Sequence, residues 1–136
     1  MAHQKQPFRT KINYDDLLLI LGQAFQKIPD HRAHNIIHHL PDILMSAFAI
    51  FSLKYPSILC FEQQSDIERA NLKKLFNIHK LCSDAQMRRV LDQVAPQHID
   101  QIFPLLFGKL RRSGTLAPFR FLNRYYLCSI DGIRGF

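Results

Sequence analysis

The 136-residue sequence contains no tryptophan and only three cysteines, Cys60, Cys82 and Cys128, which stand far apart. Small domains that are held together by disulfide bonds carry a denser and even-numbered set, so the cysteine content argues against a disulfide framework. No two cysteines form a CxxC pair, which leaves a structural zinc site without its usual ligands. The sparse cysteines indicate a reducing compartment.

The sequence also lacks a secretory signal and an apolar run of membrane-spanning length. Its first nine residues contain no continuous apolar segment of the kind found in a signal peptide. The longest apolar run, residues 43–53, is interrupted by Ser46 and Ser52. This run has about half of the roughly 20 residues that are needed to cross a bilayer. We therefore predict no membrane partner and interpret the run as a buried helix.

Motifs of common catalytic sites are missing as well. The sequence has no GxSxG, no HExxH and no glycine-rich phosphate loop. A histidine-rich stretch, residues 30–39, places His34 and His38 four positions apart, which would put both imidazoles on one face of a helix. A metal site needs a third ligand, and the stretch offers none in a recognised pattern. A cationic surface with polar capping is the preferred interpretation.

Apolar and positively charged side chains are abundant. Hydrophobic residues make up 47% of the chain and charged residues 21%, which is enough apolar material for one folded domain and argues against disorder throughout. Lys and Arg total 18 against 11 Asp and Glu, so the formal net charge is +7. This charge is typical of nucleic-acid-binding domains, and solubility is the alternative explanation.

Hydrophobic periodicity predicts a mainly α-helical fold. We predict helices over residues 15–28, 41–53, 56–64, 71–77, 83–94 and 96–112. The second helix is apolar nearly all round, which is typical of the centre of a helical bundle. Ser83 and Gln86 match a capping box at the start of the fifth helix, and Met87 and Val90 belong to its inner stripe.

The last predicted helix contains Pro104, which we expect to kink the helix or split it in two. Its predicted buried face consists of Ile99, Ile102, Phe103, Leu106, Phe107 and Leu110. Ser113 and Gly114 end this helix. The aromatic, β-compatible residues that follow predict one buried strand over residues 124–131, for which the sequence offers no convincing partner strand.

Two basic stretches are candidates for DNA contact. Residues 71–94 resemble a helix-turn-helix, in which the second helix offers side chains to the major groove. The basic residues of this first stretch are Lys73, Lys74, Lys80, Arg88 and Arg89. The alternative interpretation is an ordinary helical hairpin with a solvated basic face.

The second stretch covers residues 109–124 and contains no acidic residue. Lys109, Arg111 and Arg112 are second choices for DNA contact after the residues of the first stretch, and Arg120 and Arg124 complete the basic residues of the second stretch. Phe119, Phe121, Tyr125 and Tyr126 stand among or directly after these basic residues. Basic and aromatic side chains together serve phosphate contact and base stacking, although aromatic residues more often belong to a core.

Asp131 ends the predicted strand and precedes a glycine. A carboxylate in this position can hold a divalent cation, because a rigid strand fixes the position of its oxygens. Asp-Gly is also a common turn pair, so a strand-ending turn is the alternative. A single carboxylate is too little for a two-metal site.

Several segments, in the same order, resemble the amino-terminal region of insertion-sequence transposases of the DDE type. They are IPDHR (28–32), HHLPDILMSAFAIFSLK (38–54), PSIL (56–59), NLKKLF (71–76), SDAQMR (83–88), PFRFL (118–122), YY (125–126) and IDG (130–132). The resemblance extends over most of residues 14–136, and the order of the segments makes it specific where no single segment would.

The resemblance implies a helical amino-terminal region followed by a ribonuclease-H-like catalytic domain. In that family the first catalytic Asp lies on the first strand of the catalytic domain, which by resemblance is Asp131. Ile133 stands where the family often has Thr. Full-length relatives hold Mg²⁺ with three carboxylates to cut and rejoin DNA. The second Asp and the Glu of that family lie far downstream, so we expect this chain to bind no cofactor and to be inactive alone.

We therefore expect a flexible basic arm over residues 1–13, a helical DNA-binding domain over 14–113 and the start of a truncated catalytic domain over 114–136. The expected function is DNA binding at the terminal inverted repeats of an element, in the cytoplasm and associated with the nucleoid. Two alternatives stay open. The chain could be an inactive transposase remnant, or a stand-alone DNA-binding regulator that associates with itself or with intact transposase.

Overall fold

A computed structural model of the chain describes residues 11–33, 36–64 and 66–127. The described part is mainly helical, with a two-stranded sheet at its carboxyl-terminal end. The α-helices are α1 (Tyr14–Gln26), α2 (Leu40–Ser52), α3 (Ile58–Glu62), α4 (Asp66–Phe76), α5 (Asp84–Leu91), α6 (Pro96–Asp100) and α7 (Ile102–Ser113). A 3-10 turn (Ala117–Phe119) leads into β1 (Arg120–Phe121) and β2 (Tyr125–Tyr126). The prediction of a mainly helical fold is confirmed.

Helix α2 is the centre of the fold, as its apolar sequence predicts. Helices α1, α3, α4 and α5 all pack against it. Ile43 and Ala49 are completely buried, and so is Ser46, whose hydroxyl donates to the carbonyl of Asp42 at 2.7 Å. A helix that carries no charge after its first turn can be surrounded on every side, because no charged side chain has to lose its hydration on burial.

Helix α1 begins with a reciprocal cap. The Asn13 side chain accepts from the Asp16 amide at 2.8 Å, and the Asp16 carboxylate accepts from the Asn13 amide at 3.2 Å. These bonds satisfy two of the free amides at the start of the helix. Leu18, Leu21 and Phe25 then form the buried face of α1.

Helices α4 and α5 differ slightly from the prediction. Helix α4 begins at Asp66 rather than at residue 71, with Asp66 and Glu68 in its first turn, where the positive end of the helix dipole favours acids. Helix α5 begins after Ser83, whose hydroxyl accepts from the Gln86 amide at 3.4 Å, which is one of the two hydrogen bonds of the predicted capping box. Met87 and Val90 are buried, as the periodicity predicts.

The last predicted helix is divided at Gln101 into α6 and α7, and Pro104 lies in the first turn of α7. Proline is tolerated there because the amide that it lacks would have no helical partner. The helix ends at Gly114, which has a left-handed φ of 80°.

The predicted buried face of α7 is partly wrong. Ile102 is buried, whereas the side chains of Phe103 and Phe107 are 64% and 45% exposed. Helix α7 packs mainly against α1 and α6. On the opposite face, Tyr126 of β2 contacts the Phe107 ring but leaves it partly exposed, and periodicity alone does not reveal how wide a covered face is.

The single buried strand predicted over residues 124–131 is corrected where the structure describes it, and residues 128–131 lie outside the described part of the chain. Strand β2 is Tyr125–Tyr126, Tyr125 is exposed, and β1 supplies a partner strand that the sequence did not reveal. The strands pair antiparallel, Arg120 with Tyr126 and Phe121 with Tyr125. The turn between them places Leu122 and Asn123 at φ values of 51° and 55°.

Parts of other expectations lie outside the described residues, including the arm over 1–10, His34 and Asp131. No helix among those described is long and apolar enough to cross a membrane. The domain boundary expected after residue 113 remains a prediction, and α7 ends at Ser113.

Candidate nucleic-acid interface

The segment between α4 and α5, residues 77–83, is attached to the core through Asp42. The Asp42 carboxylate is buried in the first turn of α2 and accepts from the backbone amides of His79 at 3.2 Å and Lys80 at 3.0 Å. It also lies 3.3 Å from Nδ1 of His79, whose ring is exposed. The positive end of the α2 dipole and the two amides offset the cost of burying this carboxylate.

This anchor holds the backbone of Lys80 while its side chain remains exposed. Hydrogen bonds to a charged group contribute about 1.5–3 kcal/mol each, so the segment is not a freely moving loop. Asp42 lies in the first turn of a helix, as the sequence predicts, but its partner amides are 37 and 38 residues away. No local pattern could reveal that contact.

Two groups position the start of α5. In addition to the Ser83 cap, the Glu62 carboxylate at the end of α3 accepts from the Asp84 amide at 2.9 Å. Met87 and Val90 face the core, and the same helix therefore turns Arg88 and Arg89 toward solvent. The carboxylate of Asp84 accepts from Arg88 Nε at 2.8 Å, so Arg88 has a competing partner.

The carboxyl-terminal end of α4 presents Lys73 and Lys74 to solvent, with Leu72 and Phe76 buried on the opposite side. The Phe76 ring is in edge contact with the rings of Tyr14 and Phe48, at centroid distances of 6.5 and 6.3 Å. Lysines in a last helical turn also complement the negative end of the helix dipole, which is the structural alternative to DNA contact.

All five basic residues predicted in the first stretch are thus exposed on one continuous unit, α4, its connection and α5. Helices α4 and α5 both pack against α2. The connection spans seven residues, from 77 to 83, because α4 ends at Phe76 and α5 begins at Asp84. It is longer than the three- or four-residue turn of a typical helix-turn-helix. We call this arrangement the α4–α5 unit.

The second predicted group, Lys109, Arg111 and Arg112, lies exposed on α7. Lys109 lines a cleft of about 390 Å³ between α1 and the α6–α7 pair, together with Lys27 and His98. The basic residues predicted to contact DNA therefore lie on two separate parts of the fold, the α4–α5 unit and α7.

A larger cleft of about 580 Å³ lies between α1, the start of α2 and the end of α4. It is lined by Lys74, Asn77 and His79 of the α4–α5 unit and by His39 and Gln23 from the other side. The sequence does not reveal this cleft, because its walls come from three elements that are distant in the chain.

Cys82, directly before the cap of α5, is buried. Burial raises the pKa of its thiol above the ordinary value. A buried, protonated thiol is a poor nucleophile, so Cys82 is a core residue, as its apolar surroundings in the sequence predict. Among the described residues, no group of three potential ligands could hold a metal ion.

Comparisons with protein-family models, with curated protein sequences and with solved structures give no match to this chain.

Proposed function

We propose that this chain is the amino-terminal, DNA-binding part of a DDE-type transposase and that the α4–α5 unit contacts duplex DNA at the terminal inverted repeats of an element. The observation that carries the proposal is the exposure of Lys73, Lys74, Lys80, Arg88 and Arg89 on a unit anchored to the core by Asp42. Phosphate contacts from such side chains position a protein on a duplex.

The anchor supports the proposal because it reduces the entropy lost on binding. A backbone that is already held at Lys80 does not have to be ordered when DNA arrives. Lys73, Lys74, Lys80 and Arg89 are the stronger candidates. Arg88 must first leave Asp84, so its contribution to affinity is expected to be smaller.

The finer part of the proposal concerns the end of the chain. Residues from 114 onward would begin a ribonuclease-H-like domain, with Asp131 as its first catalytic acid. In a full-length protein, Asp131 and two further carboxylates would hold Mg²⁺.

The proposal is tested by the salt dependence of DNA binding. Fluorescence anisotropy with a short labelled duplex measures the dissociation constant of the wild type, Lys73→Ala, Lys80→Ala and the control Lys27→Ala, which alters an exposed lysine directly after α1. Each lost phosphate contact is expected to reduce the slope of log affinity against log salt by about 0.9. Equal slopes for all four proteins would mean that Lys73 and Lys80 make no phosphate contact, and would contradict the proposed role of the α4–α5 unit.

The alternatives predict different results in a thermal melt followed by circular dichroism. An inactive remnant is expected to lack a cooperative transition, whereas a binding module unfolds cooperatively with a strong helical signal. A stand-alone regulator would bind the duplex, and would in addition self-associate or associate with intact transposase. Sedimentation with and without DNA separates that case from simple monomeric binding.

A further inference from the structure

Helix α7 and the β1–β2 hairpin are joined by an aromatic contact. The rings of Phe107 and Tyr126 meet edge to face at a centroid distance of 5.6 Å. On the same face of the hairpin, Arg120 Nε donates to the hydroxyl of Tyr126 at 3.1 Å. We call the residues from Ile102 to Tyr126 the α7–hairpin surface. The hairpin is therefore attached to α7 by one face.

The strand register determines which side chains point away from α7. Phe121 and Tyr125 are cross-strand partners, and they lie on the face opposite to Arg120 and Tyr126 because successive residues alternate across a strand. Phe121 and Tyr125 are 50% and 54% exposed. Phe119, directly before β1, is exposed as well. The outer face of the hairpin thus presents neighbouring aromatic rings to solvent.

The charge of this surface has one sign. Residues 101–127 contain Lys109, Arg111, Arg112, Arg120 and Arg124 and no Asp or Glu. All five are exposed. The guanidinium carbon of Arg124 lies 5.5 Å from the centroid of the Tyr125 ring, so a positive charge accompanies the outer aromatic pair. Exposed rings beside cations that form no ion pair within the described part of the chain match a ligand that has both apolar planar groups and negative charge.

We propose that the α7–hairpin surface binds single-stranded DNA, with bases stacking on Phe121 and Tyr125 and phosphates contacting Arg124 and neighbouring cations. Unpaired bases expose the planar faces that stacking requires, whereas duplex DNA hides them. The choice of DNA rests on the duplex binding proposed above, which would bring the same polymer to this chain. The positive charge and the exposed aromatic rings of the α7–hairpin surface do not depend on the α4–α5 unit.

The test uses the full chain and labelled oligothymidine, with a labelled duplex measured in parallel. Phe121→Ala is expected to weaken oligothymidine binding about tenfold, since one stacked base contributes on that order, and to leave duplex binding unchanged. Phe51→Ala is the matched control, because Phe51 is an exposed phenylalanine on α2. Lys80→Ala is expected to do the reverse and weaken duplex binding alone.

A second variant separates stacking from apolar contact. Phe121→Leu retains an apolar side chain without an aromatic face, so it is expected to behave like Phe121→Ala. Recovery of wild-type affinity in Phe121→Leu would overturn stacking as the basis of binding. Unchanged circular dichroism of both variants is the folding control, since Phe121 is outside the buried core.

Three further results would overturn the proposal. The first is equal weakening of oligothymidine and duplex by Phe121→Ala, which would mean one shared interface. The second is tighter binding of oligouridine RNA than of oligothymidine. The third is a dimer of the wild type that Phe121→Ala dissociates, which would make the surface a contact between copies. If the wild type binds oligothymidine but does not bind the duplex, only the proposed function of the α4–α5 unit is contradicted.

Discussion

The Oδ2 atom of Asp42 accepts a hydrogen bond from the backbone amide of Lys80 at 3.0 Å and thereby connects the central helix to the segment between α4 and α5. The Oδ1 atom of the same carboxylate accepts from the neighbouring amide of His79. One buried side chain thus stabilises the core and positions the basic residue at the middle of the candidate DNA interface.

Replacing Asp42 with Ala is expected to lower the free energy of unfolding by about 2–4 kcal/mol, because two amides lose a charged acceptor. Asp42→Asn keeps one acceptor oxygen and is expected to have a smaller effect. Urea unfolding followed by circular dichroism measures both. Asp100→Ala, an exposed aspartate at the end of α6, is the control and is expected to change stability by less than about 0.5 kcal/mol. Equal effects at Asp42 and Asp100 would contradict the anchoring role.

Phe76 and Leu75 are adjacent in α4 and differ in burial. Phe76 is completely buried, whereas Leu75 is 49% exposed. Phe76→Ala is expected to cost about 3–5 kcal/mol of unfolding free energy, since it removes a ring packed against Tyr14 and Phe48 and leaves a cavity. Leu75→Ala should cost less than about 1 kcal/mol. A similar loss in both variants, measured by chemical denaturation, would show that α4 is turned differently about its axis.

The pair formed by Asp30 and Arg32 predicts a dependence of stability on pH. Side-chain hydrogen bonds from Arg32, at 2.8 and 2.6 Å, lower the pKa of Asp30 below its ordinary value of 3.8. Because the folded pKa is the lower one, the stabilising contribution is complete above the unfolded pKa and is lost as the pH falls through the folded pKa.

The stability difference between the wild type and Asp30→Asn should therefore be largest near neutral pH and should shrink below about pH 4. Denaturation at a series of pH values measures this difference, with Asp100→Asn as the exposed control. A difference that stays constant down to pH 2 would show that the carboxylate charge of Asp30 does not stabilise the fold.

Cys82 is expected to resist alkylation in the native protein. Its thiol is buried and its pKa is raised by burial, so little thiolate is present or accessible near neutral pH. Iodoacetamide labelling followed by peptide mass spectrometry should modify Cys82 only after urea is added. Cys60, which is partly exposed, is the internal comparison and should react first. Rapid native labelling of Cys82 would show that the segment before α5 opens.

Local patterns were sufficient for much of the helical fold. The apolar run of α2, the Ser83 cap and the inward stripe of Met87 and Val90 each depend on residues within a few positions of one another. Periodicity and capping act over that range, which is why these elements could be predicted. The exposure of Lys73, Lys74, Arg88 and Arg89 follows from the same periodicity. Lys80 was found from its charge alone, because it lies in the connection between the two helices.

Other features depend on contacts between distant segments, and no local pattern reveals them. The partners of Asp42, the Glu62 cap on α5 and the cleft beside Lys74 join elements that folding brings together. The exposure of Phe103 and Phe107 depends on how much of α7 its neighbours cover. The short hairpin was missed because two-residue strands are too brief to show an alternating pattern.

The sequence by itself determined the helical class, the central position of α2, the excess of positive charge and which basic side chains of α4 and α5 face solvent. These properties depend on composition and on the 3.6-residue period of a helix. The tertiary structure decided where those charges are held and which aromatic rings remain exposed. Which amides bind a buried carboxylate, and which face of a helix is covered, depends on how the surrounding elements pack.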